Sequence, residues 1–186
     1  TQMDCRGFAD GREMNEYMIA RWNRRVRPND EVVILGDLSV GKGKATNAIV
    51  ERLNGRLFLV EGNHDLFLTD KQFDRSRFEW IRPYAELHDN KRKIILCHYP
   101  VFCYNGQYRK MRDGSDRTYM LYGHVHGTYD ELLVNRFQNI TRSVLRPIRG
   151  QEEPGHIPCH MINCFCMFSD YTPLTLEEWI ENDRER

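Results

Sequence analysis

Four apolar runs in this sequence end in the same way, each in a short turn that carries Asp, Asn or His. The turns are Gly36-Asp37 after VVIL, Gly62-Asn63-His64-Asp65 after LFLVE, His98-Tyr99-Pro100 after IILC, and Gly123-His124-Val125-His126 after YMLY. Ligand sites in open α/β sheets lie beyond the carboxyl ends of the strands. We therefore expect these four turns to meet in space, although they are far apart along the chain.

The hydrophobic pattern predicts an α/β fold. Strands are predicted at 31–35, 56–60, 93–97 and 118–122, with further strands at 132–135 and 161–168. Helices are predicted at 13–25, 44–53 and 175–181, the last opened by a capping box formed by Thr175 and Glu178. Strands alternate with helices early in the chain and follow each other closely later. Two packed mixed β-sheets flanked by helices satisfy both patterns, within one domain spanning 1–186.

Composition excludes several functional classes. Lysine plus arginine and aspartate plus glutamate number 27 each, so no global charge favours nucleic acid or an anionic membrane. No apolar run approaches the length that spans a bilayer, and no signal peptide is visible. The six cysteines are unevenly spread, which argues against a disulfide framework. We expect free thiols and a cytoplasmic protein.

The side chains of the four turns suit a metal site. Asp and His offer the oxygen and nitrogen donors that Zn, Mn and Fe accept, and a carboxylate such as Asp37 can bridge two cations. Asn63 offers a neutral amide oxygen. His124 and His126 would share one side of an extended segment, so both could reach one site. Each motif alone is weak, because Gly-Asp is usually a turn and a lone His98 is usually a hydrogen-bonded core residue. The four in this order favour metal binding.

The order GD, GNHD, H, GHxH resembles the calcineurin-like metallophosphoesterase superfamily, and the chain is most similar to its small single-domain bacterial and phage members. Residues 13–23 also resemble the first helix of that subgroup. The resemblance implies a four-layer α-β-β-α fold with two divalent metal ions, Mn, Zn, Fe or Ni, of which Mn is favoured. It implies that Asp37 bridges both metals, that Asn63, His98 and His124 complete one site, and that His126 belongs to the other. His64 would then sit beside the leaving oxygen, with Asp65 orienting its ring.

One departure from the family pattern concerns the first strand, which in the family ends in Asp-x-His and completes the site of His126. No Asp-x-His precedes Asp37 here, and neither Asp4 nor Asp10 follows an apolar run. We interpret residues 1–11 as the loop after that strand and expect the strand to be missing from this sequence. The alternative is a protein that naturally lacks one metal site.

The resemblance implies hydrolysis of a phosphate ester, either a diester or a monoester, by a hydroxide that bridges the metals. The expected partner is a small phosphate ester, with a nucleotide as one candidate, and we expect neither a membrane nor nucleic acid as partner. Tyr99 and Tyr104 are candidate substrate-binding residues, since aromatic side chains can stack on a base. The alternative function is a non-catalytic interaction scaffold with an incomplete metal site. A nuclease is disfavoured by the neutral charge. The oligomeric state stays open.

Overall fold

The computed structural model describes residues 4–148 and 152–186. In chain order their helices and strands are α1 (Gly11–Arg25), β1 (Glu31–Ile34), α2 (Gly43–Val50), β2 (Arg56–Val60), β3 (Phe78–Arg82), β4 (Tyr84–Asp89), β5 (Arg92–Cys97), β6 (Thr118–Tyr122), α3 (Tyr129–Ser143), β7 (Leu145–Arg146), β8 (Gly155–His156), β9 (Met161–Asn163) and α4 (Leu176–Glu185). Short 3-10 turns lie at Leu66–Thr69, Arg75–Arg77 and Cys166–Ser169. The α/β class predicted from the sequence is confirmed.

Side-chain caps fix the starts of three helices. The Asp10 carboxylate accepts the N–H of Glu13 at the start of α1, and the Thr128 hydroxyl accepts the N–H of Asp130 at the start of α3. Thr175 and Glu178 form the predicted capping box at the start of α4. Each cap satisfies a backbone donor that has no partner within the helix, which accounts for where these helices begin.

The larger strands form two sheets. The first is parallel, in the order β1-β2-β3. The second is mixed, in the order β4-β5-β6-β9, with β4 antiparallel to β5 and the other pairs parallel. Strands β7 and β8 form a separate antiparallel pair. Parallel pairing brings the carboxyl ends of β1 and β2 to one edge of the first sheet, and those of β5 and β6 to one edge of the second.

Alternating side chains along the strands divide the core into three clusters. Val60 of β2 packs with Leu96 of β5 and Leu121 of β6, so this cluster joins the two sheets and also takes in α4. Leu57 and Leu59 of β2 pack instead against residues of α1 and α2. The other sides of β5 and β6 pack in a third cluster with α3. The two-residue period of a strand explains why one strand serves two clusters.

One predicted strand is a helix in the structure, and another is shorter than predicted. Residues 132–135 belong to α3, and the apparent strand pattern arose from Leu132 and Leu133, which are 52% and 46% exposed. The strand predicted at 161–168 ends at Asn163, where the chain bends towards a 3-10 turn. Strands β3 and β4 were not predicted. Residues 1–11 were predicted to form a loop. Residues 4–10 belong to no helix or strand, Gly11 begins α1, and residues 1–3 lie outside the described ranges.

The cellular compartment stays a prediction. The cysteines from Cys97 onward carry free thiols in the structure. Across the described parts of the chain, no helix has both the length and the apolar character needed to cross a bilayer.

Candidate metal centre

Three of the four predicted turns bring metal-ligating atoms to one point. Asp37 lies just beyond the end of β1, His98 directly follows β5, and His124 follows β6. Ligand atoms of these three side chains all lie within 4.8 Å of one another. They form the one group of three potential Asp, Glu, His or Cys ligands among the described residues. The edge that the strand ends share therefore carries a candidate cation site.

The buried imidazole of His98 lies at the centre of this group. The side chain is 1% exposed, and its Nδ1 lies 2.7 Å from the carbonyl oxygen of Leu35. A carbonyl can only accept, so Nδ1 carries the proton, and the Nε2 of a neutral ring presents a lone pair. A backbone carbonyl that fixes the tautomer in this way is the usual outer partner of a metal-ligating histidine.

Three atoms that can bind a metal surround the Nε2 of His98. The Oδ1 of Asn63 lies 3.0 Å away, the Oδ2 of Asp37 3.3 Å away and the Nδ1 of His124 3.3 Å away. The Asn63 amide thus joins the three ligand side chains at the same point. Such lone pairs would repel one another unless a proton or a cation lay between them. Two imidazole nitrogens, a carboxylate and an amide oxygen are a donor set that fits Mn, Fe or Zn.

The pKa values of the group shift in different directions from one side chain to the next. Burial disfavours the charged form of His98, but Asp37 and the Leu35 carbonyl outweigh it and raise the pKa of the ring. Burial also opposes ionisation of Asp37, yet hydrogen bonds from His98 and from the backbone of His64 keep the pKa of that carboxyl lowered. Burial and the neighbouring His98 lower the pKa of His124. The site thus favours a carboxylate beside a neutral His124, the forms that a metal requires. The raised pKa of His98 favours the imidazolium instead, so a metal must displace the proton from its Nε2.

Three of the five expected ligands have left-handed backbone conformations. The φ angles are +53° at Asp37, +63° at His124 and +51° at His126. This region is sparsely populated by residues other than glycine, and such conformations cluster at functional sites. The GHVH segment is therefore not extended, and the reason given above for His124 and His126 sharing one side is wrong.

Two glycines let the turns after β1 and β2 touch. Gly36 has a φ of +85°, and a Cβ built there would overlap the Cα of Gly62 and the Nδ1 of His98. A Cβ built on Gly62 would overlap the backbone nitrogen and the Oδ1 of Asp37. Only residues without a side chain allow this close approach, which brings Asp37 and Asn63 to the same side of His98.

Asp65 has a different role from the one expected. Its side chain is buried, at 4% exposed, and accepts three backbone N–H groups. Its Oδ2 accepts from Asp37 at 3.0 Å and from Gly62 at 2.8 Å, and its Oδ1 accepts from Leu38 at 2.8 Å. The carboxylate is therefore engaged with the backbone, and the expectation that it orients the His64 ring is corrected. Burial raises the pKa of this carboxyl, and the three donors oppose that rise.

His64 combines a fixed backbone with an exposed side chain. Its N–H donates to the Oδ1 of Asp37 at 2.8 Å, which ties its position to the candidate ligand. The imidazole itself is exposed to solvent at the rim of the site. A side chain held there could reach a bound substrate without taking part in the buried group.

His126 lies outside the group of three and contacts Asp4, which was set aside above because it follows no apolar run. Its Nδ1 is 2.7 Å from the Oδ1 of Asp4, and its ring stacks on Phe165 at 4.6 Å between centroids. Arg6 donates to the other oxygen of Asp4 at 2.8 Å. Burial opposes the charged form of Asp4, but His126 and Arg6 keep its pKa lowered. Asp4 follows no apolar run, so no signal in the sequence could have identified it.

The two candidate substrate-binding tyrosines differ in accessibility. Tyr99 is 44% exposed and its ring lies 4.5 Å from that of His124, centroid to centroid. Tyr104 is 4% exposed, and its hydroxyl is hydrogen-bonded to the backbone of His160. The side chain of Tyr99 is thus available at the site. That of Tyr104 belongs to the core, which corrects the expectation that it binds substrate.

Comparison with known proteins gives three findings. The family model of the calcineurin-like phosphoesterase superfamily domain matches residues 15–136. An uncharacterized protein of Methanocaldococcus jannaschii is 32% identical over 126 residues, which cover 67% of this chain and 60% of that relative. The chain therefore spans less than two thirds of that relative's length. The crystal structure of a protein of unknown function from Aquifex aeolicus matches with a TM-score of 0.60 and 19% identity, covering 97% of this chain and 89% of that one, and so shares the fold.

Proposed function

The chain belongs to the calcineurin-like phosphoesterase superfamily, and from this premise we propose that it hydrolyses a small phosphate ester in a reaction that depends on divalent metal ions. The observation that carries the proposal is the set of lone pairs around the Nε2 of His98. Asp37, Asn63 and His124 each place a potential ligand atom within 3.3 Å of this one nitrogen. A divalent cation that takes the place of the Nε2 proton would bind all four side chains together.

The proposed ligands of one cation are Asp37, Asn63, His98 and His124. Divalent cations, when bound, generate a nucleophile from water at neutral pH and neutralise charge that develops on the phosphate. His126 is proposed to serve a second cation, with Asp37 as the ligand common to both. Mn²⁺ is the favoured ion. These assignments rest on the family resemblance together with the donor chemistry of the side chains.

The remaining side chains are proposed to act on the substrate. The exposed His64 ring would donate a proton to the leaving oxygen, while its backbone N–H keeps Asp37 in position. Tyr99 would line the site beside His124, where its ring could contact the organic part of the ester. A small ester, with a nucleotide as one candidate, is the proposed substrate, because the neutral net charge of the chain disfavours a nucleic-acid polymer.

The proposal also includes the arrangement of layers, the extent of the domain and the cellular location. We propose that the two sheets and their helices form the four-layer α-β-β-α arrangement, in support of which one core cluster joins the sheets and two others join them to helices. We propose one domain over 1–186. A cytoplasmic location is proposed from the composition of the chain.

The test is hydrolysis of bis(4-nitrophenyl) phosphate and 4-nitrophenyl phosphate by the purified protein with added Mn²⁺. We expect turnover of at least one ester, loss of turnover on chelation with EDTA, and recovery when Mn²⁺ is restored. Turnover that survives chelation would contradict the proposal. The absence of turnover of either ester with Mn²⁺, Zn²⁺ or Fe²⁺ would favour the interaction scaffold with an incomplete metal site instead.

A further inference from the structure

The side chain of Asp65 links the two turns that carry Asp37 and Asn63. Its Oδ2 accepts from Asp37 in the turn after β1 and from Gly62 in the turn after β2. Its Oδ1 accepts from Leu38, which also lies in the first turn. One buried carboxylate thus satisfies backbone donors from both turns. Hydrogen bonds to a charged acceptor in a buried setting are the strong ones.

Asp37 makes the reciprocal contact. Its Oδ1 accepts the N–H of His64, which belongs to the same turn as Asp65. Each aspartate therefore accepts from the backbone of the other's turn. The Oδ2 of Asp37 remains directed at the Nε2 of His98. The two glycines in contact, Gly36 and Gly62, leave little room for either turn to shift.

We infer that Asp65 is a positioning residue, which sets the spacing between Asp37 and Asn63 and so the cation affinity of the site. The inference rests on the proposed metal-dependent function. Both oxygens of Asp65 accept backbone N–H groups, so its effect passes through the backbone of the turns. Loss of such an outer partner in metal sites weakens metal affinity by about 10- to 100-fold.

Asp65→Asn tests this with almost no change in size. An amide has one acceptor oxygen, so its NH₂ must face at least one of the three backbone donors. We expect Mn²⁺ affinity, measured by isothermal titration at a temperature where the variant is folded, to fall by about 10- to 100-fold. In the metal-free protein, amide hydrogen exchange at Asp37, Leu38 and Gly62 should accelerate at least about tenfold, because these donors lose their acceptor.

Asp70→Asn is the matched control. Asp70 also accepts two backbone N–H groups, from Gly43 and Gln72 at 2.9 Å each, but it contacts none of the proposed ligands. Its loss should leave Mn²⁺ affinity unchanged, even if it lowers the melting temperature. A role for Asp65 in stability alone predicts that both variants keep the affinity of the unchanged protein.

The outcomes separate this inference from the proposed function. A folded Asp65→Asn protein that binds Mn²⁺ as tightly as the unchanged protein would overturn the inference alone. No Mn²⁺ binding by the unchanged protein would overturn the proposed function. If Asp65→Asn does not fold, amide hydrogen exchange in the unchanged protein decides. Slow exchange at the Asp37, Leu38 and Gly62 amides supports the positioning role of Asp65, and exchange as fast as in an open peptide overturns it.

Discussion

Replacing Asp37 with Asn should lower kcat/KM for phosphate-ester hydrolysis by at least about a thousandfold, equivalent to about 4 kcal/mol of transition-state stabilisation. The variant keeps an oxygen to accept the N–H of His64, so the turn should fold as before. In place of Oδ2 it presents an NH₂ group to the Nε2 of His98, which lies 3.3 Å from that atom. The amide would donate to the lone pair that a cation needs. Mn²⁺ binding, measured by titration, should therefore fall together with activity.

The matched control for this change is Asp113→Asn. Asp113 accepts from Ser115 in the segment before β6, whereas the site lies beyond the other end of that strand. Its replacement should leave turnover and Mn²⁺ binding unchanged. An Asp37→Asn protein that retains the melting temperature, the Mn²⁺ affinity and most of the turnover would refute the bridging role of Asp37.

Replacing His64 with Ala should slow hydrolysis of an ester with a poor alkoxide leaving group by about 100- to 10,000-fold, because loss of a general acid removes that factor. A nitrophenolate leaves without much protonation, so turnover of the nitrophenyl ester should fall much less. Alanine keeps the backbone N–H that donates to Asp37. The metal content of the protein should therefore stay constant, and it is to be measured beside both rates.

His88→Ala is the control for His64→Ala. His88 is an exposed histidine on β4, paired with Lys93 at the opposite end of β5 from His98. Its removal should change neither rate. The proposed role of His64 is wrong if the two esters slow equally, or if the ester with the poor leaving group is hydrolysed at an unchanged rate.

The sequence predicted which turns lie close together because the local and long-range signals agree. An apolar run predicts a strand, and a polar turn after it predicts a position at the strand's carboxyl end. The structure brings Asp37, Asn63, His98 and His124 together as this reasoning requires. The strand predicted at 132–135 failed because its apolar residues were assumed to be buried. Leu132 and Leu133 lie on helix α3, and their side chains are exposed.

The contacts of individual side chains were harder to predict. Asp65 was expected to pair with its neighbour His64, but its partners are backbone N–H groups, which every residue except proline carries. Asp4 contacts His126 across the fold, and nothing next to Asp4 in the chain indicates this. Such contacts depend on where two distant segments pack, so they become visible only with the fold.

Anomalous scattering of Mn²⁺ in crystals of the protein grown with that ion tests most directly whether the four side chains hold a cation. We expect a peak whose centre lies about 2.0–2.2 Å from the Asp37 carboxylate, the Asn63 Oδ1, the His98 Nε2 and a ring nitrogen of His124. A well-ordered site without a peak, in which protein groups satisfy these four side chains, would show that they do not form a metal site.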